Sequence, residues 1–465
     1  MRILHYILGL PPYRTGGLTK FTFDLMREQC IMGDEAICLW PGQIKFVGKQ
    51  NDISIKRRKD VTFPELDDDS IAVENYELIN PLPVPLDEGI VKPEYYMKNA
   101  DVAVYEKFLI MANPGMIHVH TMMGIHEAFF IAAKKLGIKI IFTTHDYFGI
   151  CNKVYLFDKI GDGNSCSPNE DCRKCAICNT TGLSFNKVRI LQSSLYRDLK
   201  DSYLVKHLRK KHRSEYFDAG DELGTEHYRV DEKSVEEYKK LRKFYKKLFS
   251  YIDYFHFTSS VSEKVYRQFL PNIKGELITI THRDISDNRQ KRTCNSGKIR
   301  YTMLAPAKPY KGFGIVKNVM DEMWYLGKRD FLLRLYCPVG ETAPYMKIKE
   351  TGYDYKELAG IFDKTDVLLA PSVWFETFGY TVLEAISYGI PVIITDRVGA
   401  GDIIGGGGKI ITGKDTKELT KQLKETLNNL DAETINSWNQ NIVSEAKIKD
   451  WRQFVEEVKA WMLML

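Results

Sequence analysis

Short apolar runs alternate with longer amphipathic stretches through most of the chain. The runs have the length of buried strands, and the longer stretches repeat apolar residues at three- and four-residue spacing, as helices do. Such alternation predicts βαβ units with parallel sheets. The first series comprises predicted strands Ile3–Leu8, Ala36–Leu39, Met116–His120, Lys139–Thr143 and Tyr254–Phe257 and predicted helices Leu18–Met32 and Ile125–Leu136.

A second series of the same kind begins near residue 298. Two α/β domains in tandem are therefore predicted, over residues 1–272 and 273–443, with a polar joint at Pro271–Gly297. A final amphipathic helix is expected at Ser444–Leu465, where it could cover the second sheet or return to the first. The second series comprises predicted strands Ile299–Leu304, Phe331–Tyr336, Asp366–Ala370, Pro391–Thr395 and Lys409–Ile411 and predicted helices Lys356–Phe362 and Thr381–Tyr388.

The bulk composition is that of a folded protein of two domains. The chain has 465 residues, of which 44% are hydrophobic and 27% charged, and this length exceeds a single ordinary core. The net charge of +5 is slight, so any basic surface must be local. No run approaches the roughly 18 apolar residues of a membrane span. The apolar start reads as a buried strand rather than a secretory signal, so we expect a cytoplasmic protein with reduced cysteines.

Two carboxylates flank a predicted strand-to-helix turn in the second series. Glu376 lies in the loop after the strand Asp366–Ala370, and Glu384 lies about one turn into the following helix. Ligands of open α/β sheets bind at the carboxyl ends of strands, and the amides at a helix N-terminus suit a phosphate. One carboxylate could accept hydrogen bonds from the hydroxyls of a sugar, and the other from those of a ribose. In isolation, two glutamates at this spacing would more often be solvated side chains.

The segment that contains these glutamates resembles the signature of retaining glycosyltransferase family 4. The resemblance rests on Glu376-x7-Glu384, on Pro371-Ser372 before it, and on Gly389 and Pro391-Val392 after it. It implies the GT-B fold, in which two Rossmann-like domains face each other across a cleft. It also implies that Glu376 meets the transferred sugar and Glu384 the ribose. The residues implied to surround the donor diphosphate are Phe378, Gly379, Tyr380 and Thr381.

Three further segments are similar to elements of that family. Gly16-Gly17 resembles a glycine-rich loop near donor phosphate and acceptor, although a plain turn is an equal alternative. His145, in Thr-Thr-His-Asp-Tyr at a strand end, resembles a histidine that approaches the donor sugar; otherwise it would be a core residue. We assign His118 and His120 to strand packing. Lys311-Gly312 resembles an Arg-x4-Lys-Gly element whose cations neutralise the diphosphate, but Pro306 occupies the arginine position and Lys308 is the nearby substitute.

A cysteine cluster follows the histidine segment. Cys166, Cys172, Cys175 and Cys178 lie within thirteen residues, and Cys151 is an alternative fifth. In a reducing compartment this density favours a structural zinc site, with unliganded thiols, an iron–sulfur site or a disulfide as alternatives. We expect no catalytic metal, because the resemblance assigns neutralisation of the diphosphate to the two cations of the Arg-x4-Lys-Gly element, here Lys311 and the substitute Lys308.

The cluster opens a charged helical insertion, at about residues 151–250, in the first domain. Lys206–Arg213 and Lys239–Lys247 are strongly basic, and Asp218–Glu237 between them is mostly acidic. The basic segments could contact anionic lipid at the inner face of a membrane, or could simply be solvated helix faces. No recognition motif for nucleic acid accompanies them.

The sequence therefore predicts a retaining glycosyltransferase that uses a nucleotide sugar, in particular a UDP-sugar. The implied acceptor is a glycan or a lipid-linked saccharide, as in cell-surface polysaccharide synthesis. Two alternatives remain open at this point: a catalytically silent subunit that binds glycan or stabilises a partner, which Pro306 would favour, and a nucleotide-sugar epimerase.

Overall fold

The computed structural model describes residues 1–11, 14, 16–45, 52–63, 66, 71–85, 89–157, 166–167, 171–180, 182–203, 205–207, 230–294 and 297–465. The chain divides into two compact units. Unit 1 comprises Met1–Leu156, Ser167–Phe257 and Arg267–Glu276, and unit 2 comprises Phe157–Cys166, Thr258–Tyr266 and Leu277–Leu465. The division lies near the predicted joint, but Cys166 is placed in unit 2, apart from the other residues of the cysteine cluster.

Unit 1 is built on a sheet whose central strands are parallel and buried on both sides. Its described strands follow the order β3-β5-β2-β1-β6-β7-β8-β9, with β4 pairing on β5. Pairs from β5 to β8 are parallel, whereas β3 and β4 run antiparallel to β5. Burial on both faces explains the continuous apolar runs of the predicted strands. The strands are β1 Arg2–Tyr6, β2 Glu35–Pro41, β3 Ser54–Arg57, β4 Val61–Thr62, β5 Ala72–Ile79, β6 Met116–Val119, β7 Lys139–Thr143, β8 Tyr254–Phe257 and β9 Gly275–Leu277.

Helices accompany this sheet at the amphipathic stretches. Asp101 and Asp231 cap two of them by accepting hydrogen bonds from first-turn amides, which satisfies groups that a helix leaves unpaired. The helices are α1 Gly17–Ile31, α2 Val102–Ala112, α3 Glu127–Lys135, α4 Cys172–Cys178, α5 Phe185–Leu191, α6 Ser194–Leu199 and α7 Glu232–Phe249, with a 3-10 turn at Pro93–Tyr96. The next helix, α8 Ser260–Phe269, has most of its residues in unit 2. No helix in the described part of the chain has the length and apolar character needed to cross a membrane.

Unit 2 has a wholly parallel sheet of order β12-β11-β10-β13-β14-β15. Val316, Met320, Leu333, Leu369 and Leu423 belong to its buried core. The elements are strands β10 Ile299–Met303, β11 Phe331–Leu335, β12 Met346–Ile348, β13 Val367–Ala370, β14 Val392–Thr395 and β15 Gly408–Ile411; helices α9 Phe313–Tyr325, α10 Leu358–Phe362, α11 Tyr380–Ser387, α12 Thr416–Asn429, α13 Ala432–Glu445 and α14 Trp451–Met464; and 3-10 turns Pro309–Lys311, Tyr355–Glu357 and Gly399–Ile403.

The C-terminal segment differs from the single helix predicted over Ser444–Leu465. Helix α13 ends at Glu445, and α14 begins only at Trp451. The break has a local cause: Ala446 is extended, and the Asp450 side chain accepts the Gln453 amide in a capping box that starts a new helix. The segment lies in unit 2.

Candidate active site

The loop after β13 carries Glu376 and is fixed by backbone hydrogen bonds. The Glu376 amide donates to the Arg397 carbonyl at 2.8 Å, and the Gly399 amide donates to the Glu376 carbonyl at 3.2 Å. The carboxylate is then held from two sides. Lys311 Nζ lies 2.9 Å from Oε1, and the Ser372 hydroxyl donates to the same oxygen. The side chains of Glu376 and Lys311 are 13% and 18% exposed, so this ion pair is only partly screened by solvent.

Lys311 occupies this position because its own loop packs tightly on the Glu376 loop. Gly312 has φ 80°, and a Cβ there would lie 2.0 Å from the Pro371 carbonyl oxygen. The Tyr310 carbonyl accepts the Val373 amide at 2.9 Å. Lys311 Nζ also lies 4.9 Å from the centre of the Trp374 ring. Only glycine permits this approach, which explains the Lys-Gly pair.

Lys308 is the N-terminal cap residue of the 3-10 turn Pro309–Lys311. Its amide donates to the Pro306 carbonyl at 2.8 Å, so Pro306 contributes a backbone acceptor to this turn and no charge. Lys308 is half-buried. Burial raises the pKa of the Cys337 thiol, while a hydrogen bond from the Ala307 backbone and the charge of Lys308 act in the opposite direction.

Helix α11 begins beside Glu376 with no side chain capping it. Gly379, the N-terminal cap residue, has φ 104°, and a Cβ there would lie 2.9 Å from Val398 Cγ1 and 3.4 Å from Glu376 Oε2. The Phe378 carbonyl accepts the Ala400 amide at 2.6 Å. The first amides of a helix have no intrahelical acceptor. The first turn of α11, with Tyr380 and Thr381, therefore begins beside the Lys311–Glu376 pair.

Glu384, on α11, is 5% exposed. Burial raises the pKa of its carboxyl group from 4.5 to about 7, while hydrogen bonds from Tyr355 and Tyr353 act in the opposite direction. Its Oε2 atom has no hydrogen-bond partner among the described residues. An unpaired carboxylate oxygen inside a protein is costly unless a ligand supplies a donor.

His282 completes the surroundings of this carboxylate. Its Nε2 lies 3.9 Å from Glu384 Oε1, and the Tyr355 hydroxyl is hydrogen-bonded to the same nitrogen. The His282 ring packs edge-on against Tyr355 and Tyr380 at 5.2 and 5.3 Å. Sequence reasoning missed His282, Tyr353 and Tyr355, because they come from separate loops and follow no fixed spacing from Glu384.

In unit 1, His145 follows the carboxyl end of β7. Its Nε2 lies 3.2 Å from His120 Nδ1, and its ring packs against Phe21 at 4.6 Å. Burial, and secondarily the charge of His256, lower the pKa of His145 to about 3, so the imidazole is neutral near neutral pH. The adjacent Asp146 accepts the Phe148 amide at 2.8 Å, yet burial raises its pKa to about 6.

The glycine pair of unit 1 starts helix α1. Gly16 is its N-terminal cap, with φ 126°, and no side chain caps the helix there. A Cβ on Gly16 would meet nothing within 4 Å, so the backbone conformation, and not crowding, requires glycine. Gly17 is the first helical residue.

The cysteines are brought together only in part. A hydrogen bond joins Cys172 and Cys175, and Arg242 Nη2 donates to Cys175 Sγ at 3.2 Å. The hydrogen bond from Cys175, helped by the Arg242 charge, lowers the pKa of Cys172 to about 7 against the effect of burial. Within the described ranges, the one group of three or more metal-ligating side chains with ligand atoms inside 4.8 Å is His5, His118 and His120. The cysteines form no such group.

The basic segments are described only in part. Residues 208–213 of Lys206–Arg213, and most of the acidic stretch that follows, lie outside the described residues. Lys239–Lys247 lies on α7, where Lys240 pairs with Glu237 at 2.9 Å and Lys247 with Glu127 at 2.5 Å. Lys239, Arg242, Lys243 and Lys246 line a cavity of about 330 Å³ together with Asp171 and Cys172.

Comparison with known proteins bears on unit 2 and on the fold. Residues 335–429 match the family model of Glycosyl transferases group 1. A segment of 89 residues is 35% identical to an uncharacterized 41.2 kDa protein in the cps region of Klebsiella pneumoniae, covering 19% of this chain and 23% of that protein. The chain thus aligns with less than a quarter of that relative's length.

Solved structures resemble the chain over its whole length, and two of them are described here. An α,α-trehalose 6-phosphate synthase from Burkholderia multivorans has a TM-score of 0.53 at 12% identity, covering 100% of this chain and 96% of its own. A trehalose-6-phosphate structure from E. coli, bound with UDP-2-fluoro glucose, has a TM-score of 0.52 at 10% identity, covering 100% and 99%. These likenesses confirm the predicted α/β fold of two domains in the GT-B class. Residues 335–429 thus match glycosyl transferases of group 1, within a chain that has the GT-B fold.

Proposed function

We propose that this protein is a retaining glycosyltransferase of family 4 type that moves a sugar from a UDP-sugar to a glycan or lipid-linked acceptor. One observation carries the proposal. Lys311 Nζ lies 2.9 Å from Glu376 Oε1 at the start of α11, and the same helix holds Glu384 with an unpartnered oxygen. A cation, helix-start amides and two carboxylates thus lie at the carboxyl end of a parallel sheet, where such folds bind nucleotides.

The donor diphosphate would bind at the start of α11. Gly379 lets the backbone approach closely, and the amides of the first turn, over Phe378–Thr381, suit phosphate oxygens. Lys311, with Lys308 in support, would neutralise the charge that develops on the leaving diphosphate. Because Lys311 pairs with Glu376 before the donor arrives, a phosphate that draws the ammonium away would release the Glu376 carboxylate to accept a sugar hydroxyl.

Glu384 is suited to a ribose. Burial raises the pKa of its carboxyl group although Tyr355 and Tyr353 donate hydrogen bonds to it, and its Oε2 has no partner among the described residues. Ribose hydroxyls would donate hydrogen bonds to this oxygen, and would stabilise the charged form that burial disfavours.

The resemblance to family 4 further assigns His145 to contact with the donor sugar, and Gly16 and Gly17 to the donor phosphate and acceptor. A neutral imidazole can accept or donate one hydrogen bond to a sugar hydroxyl. In retaining family members the leaving phosphate is described as helping to deprotonate the acceptor on the same face, and this scheme needs no catalytic metal.

Two comparisons support the donor class and the biological role. A protein with the same fold is bound with UDP-2-fluoro glucose, so the fold accommodates such a donor. The relative from a cps region supports a role in cell-surface polysaccharide synthesis. We place the protein in the cytoplasm, with the cations of α7 in contact with the inner face of the membrane.

A structural zinc ion is a separate proposal. It rests on the density of thiols and on the contact between Cys172 and Cys175; Cys178 and either Cys166 or Cys151 would complete the set. Because Cys151 lies in unit 1 with the others, it fits this set better than Cys166. About one equivalent of zinc in anaerobically purified protein supports the proposal, and less than about half an equivalent contradicts it.

A panel of UDP-, GDP- and other nucleotide sugars tests the proposed function. We expect slow hydrolysis of one UDP-sugar, release of the sugar with retained anomeric configuration, and loss of the activity in Glu384→Ala and Lys311→Ala. Glu425→Ala, an exposed glutamate on α12, is the matched control. Hydrolysis of no donor would favour a catalytically silent subunit, and full activity in either site variant would refute the site.

A further inference from the structure

One carbonyl of the loop at residues 376–379, which we call the donor loop, accepts hydrogen bonds from two buried hydroxyl groups. The Ser259 hydroxyl donates to the Thr377 carbonyl at 2.6 Å, and the Thr258 hydroxyl donates to the same oxygen at 3.0 Å. Both hydroxyl residues are completely buried, and both belong to unit 2, as Thr377 does. They lie in the connection between β8 and α8. A segment remote in the sequence therefore holds the backbone between Glu376 and the start of α11.

The hydrogen bonds at the start of α8 leave the Ser259 proton for Thr377. The Ser259 oxygen accepts the Ser262 amide at 3.1 Å, as the capping serine of a helix does. The Ser262 hydroxyl in turn donates to the Ser259 carbonyl at 2.9 Å. Because a hydroxyl carries one proton and two lone pairs, Ser259 caps α8 with a lone pair and donates its proton to the Thr377 carbonyl.

A glycine makes room for this contact. A Cβ on Gly399 would lie 2.3 Å from Ser259 Oγ and 2.6 Å from the Thr377 carbonyl oxygen, so a side chain at residue 399 would push the serine and the carbonyl apart. Asp402, three residues later, accepts the Ser260 amide at 2.7 Å. The start of α8 is thus fitted both to the donor loop and to the turn that follows β14.

We infer that Ser259 and Thr258 are positioning residues, which fix the direction of the Phe378 amide that is to meet the donor phosphate. A trans peptide is planar, and its N–H and C=O groups point in opposite directions. Hydroxyls that hold the Thr377 carbonyl therefore also hold the N–H group of the same peptide, that of Phe378, and direct it away from themselves. The role of the phosphate rests on the proposed function, whereas the hold on the peptide does not.

NMR of the full chain tests the hold on the peptide without any ligand. Threonine labelled with ¹³C at its carbonyl and phenylalanine labelled with ¹⁵N select the Thr–Phe peptides of the chain, and Thr377→Ser identifies the amide signal of residue 378 by removing it. Ser259→Ala and Thr258→Val should each move this signal. Thr365→Val removes a buried hydroxyl that donates to a carbonyl elsewhere in unit 2, and should leave the signal in place. A signal that neither Ser259→Ala nor Thr258→Val moves would overturn the inference.

Calorimetric titration with UDP tests the consequence for the donor. Ser259→Ala should weaken UDP binding about 3- to 10-fold, the effect of losing one hydrogen bond, and Thr258→Val about 2- to 3-fold, because its contact is longer. Thr258→Ser keeps the hydroxyl and should bind UDP as the wild-type protein does. Asp415→Ala removes the side chain that caps α12 and should leave the affinity within about twofold, which separates positioning from the loss of a helix cap.

Wild-type affinity for UDP in Ser259→Ala, or an equal loss in Asp415→Ala, would show that these hydroxyls do not position the donor loop. A wild-type protein that binds no UDP would instead refute the proposed donor site, and with it the role of the phosphate. The NMR comparison would then still decide whether the two hydroxyls hold the peptide, so the two failures are distinguishable.

Discussion

Replacing Glu384 by Gln should change how the stability of unit 2 depends on pH. Burial raises the pKa of the Glu384 carboxyl from 4.5 to about 7, and a tenfold change in a protonation equilibrium corresponds to about 1.4 kcal/mol. Holding this carboxylate charged in the fold therefore costs about 3 kcal/mol relative to the unfolded chain. Because the folded pKa is the higher one, the cost is absent below pH 4.5, grows between pH 4.5 and about 7, and is complete above that.

The Gln variant keeps the shape of the side chain and removes its charge. Urea unfolding followed by tryptophan fluorescence should show Glu384→Gln more stable than wild type by about 3 kcal/mol near pH 8.5, and by less than about 1 kcal/mol near pH 5. Glu425→Gln, an exposed charge removal on α12, controls for net charge. The same stability difference for Glu384→Gln at both pH values would refute the reasoning, because it would mean that burial does not shift this carboxyl group.

Two further variants test the account: one alters the packing of the site, and the other alters the basic surface. Gly312→Ala should destabilise the fold by more than about 2 kcal/mol, because an alanine is strained at φ 80° and its Cβ would collide with the Pro371 carbonyl. Gly314 lies in helix α9, which Gly312 caps, and a Cβ there would meet nothing within 4 Å. Gly314→Ala should therefore be neutral or stabilising by up to about 1 kcal/mol. Equal melting temperatures for the two variants would contradict the proposed packing of the Lys311 loop. The double change Lys243→Glu and Lys246→Glu should abolish flotation with vesicles containing anionic phosphatidylserine at low salt, whereas Lys424→Glu on α12 should not; no flotation of the wild-type protein would remove membrane contact from the account.

The sequence predicts the centres of both sheets well, because parallel strands buried on both faces leave continuous apolar runs. It does not predict β3, β4 or β5. Strand β5, Ala72–Ile79, carries two glutamates and an asparagine within its eight residues, and their partners lie on other elements: Arg57 pairs with Glu74 and Arg58 with Glu77. Such a strand shows neither a continuous nor a regularly alternating apolar pattern.

The candidate site, like the fold, is predictable only in the part that a linear sequence pattern records. Glu376, Glu384 and Lys311 lie in short segments whose spacing reflects a strand end and a helix start, so a linear pattern identifies them. His282 and Tyr355 reach Glu384 through folding alone, and their spacing from it carries no signal. His5 and His118 follow a rule that could have been applied: polar residues that pair in the register of adjacent parallel strands, as these two do between β1 and β6, mark a polar layer within the core.

Calorimetric titration with UDP tests the central claim, the donor site at Lys311 and α11, most directly. UDP should bind the wild-type protein with one site. Lys311→Ala should weaken binding about 10- to 100-fold, the effect of removing a hydrogen bond from a charged group, while Lys424→Ala, a lysine on α12 outside the site, should leave it unchanged. Wild-type affinity for UDP in Lys311→Ala would contradict the account.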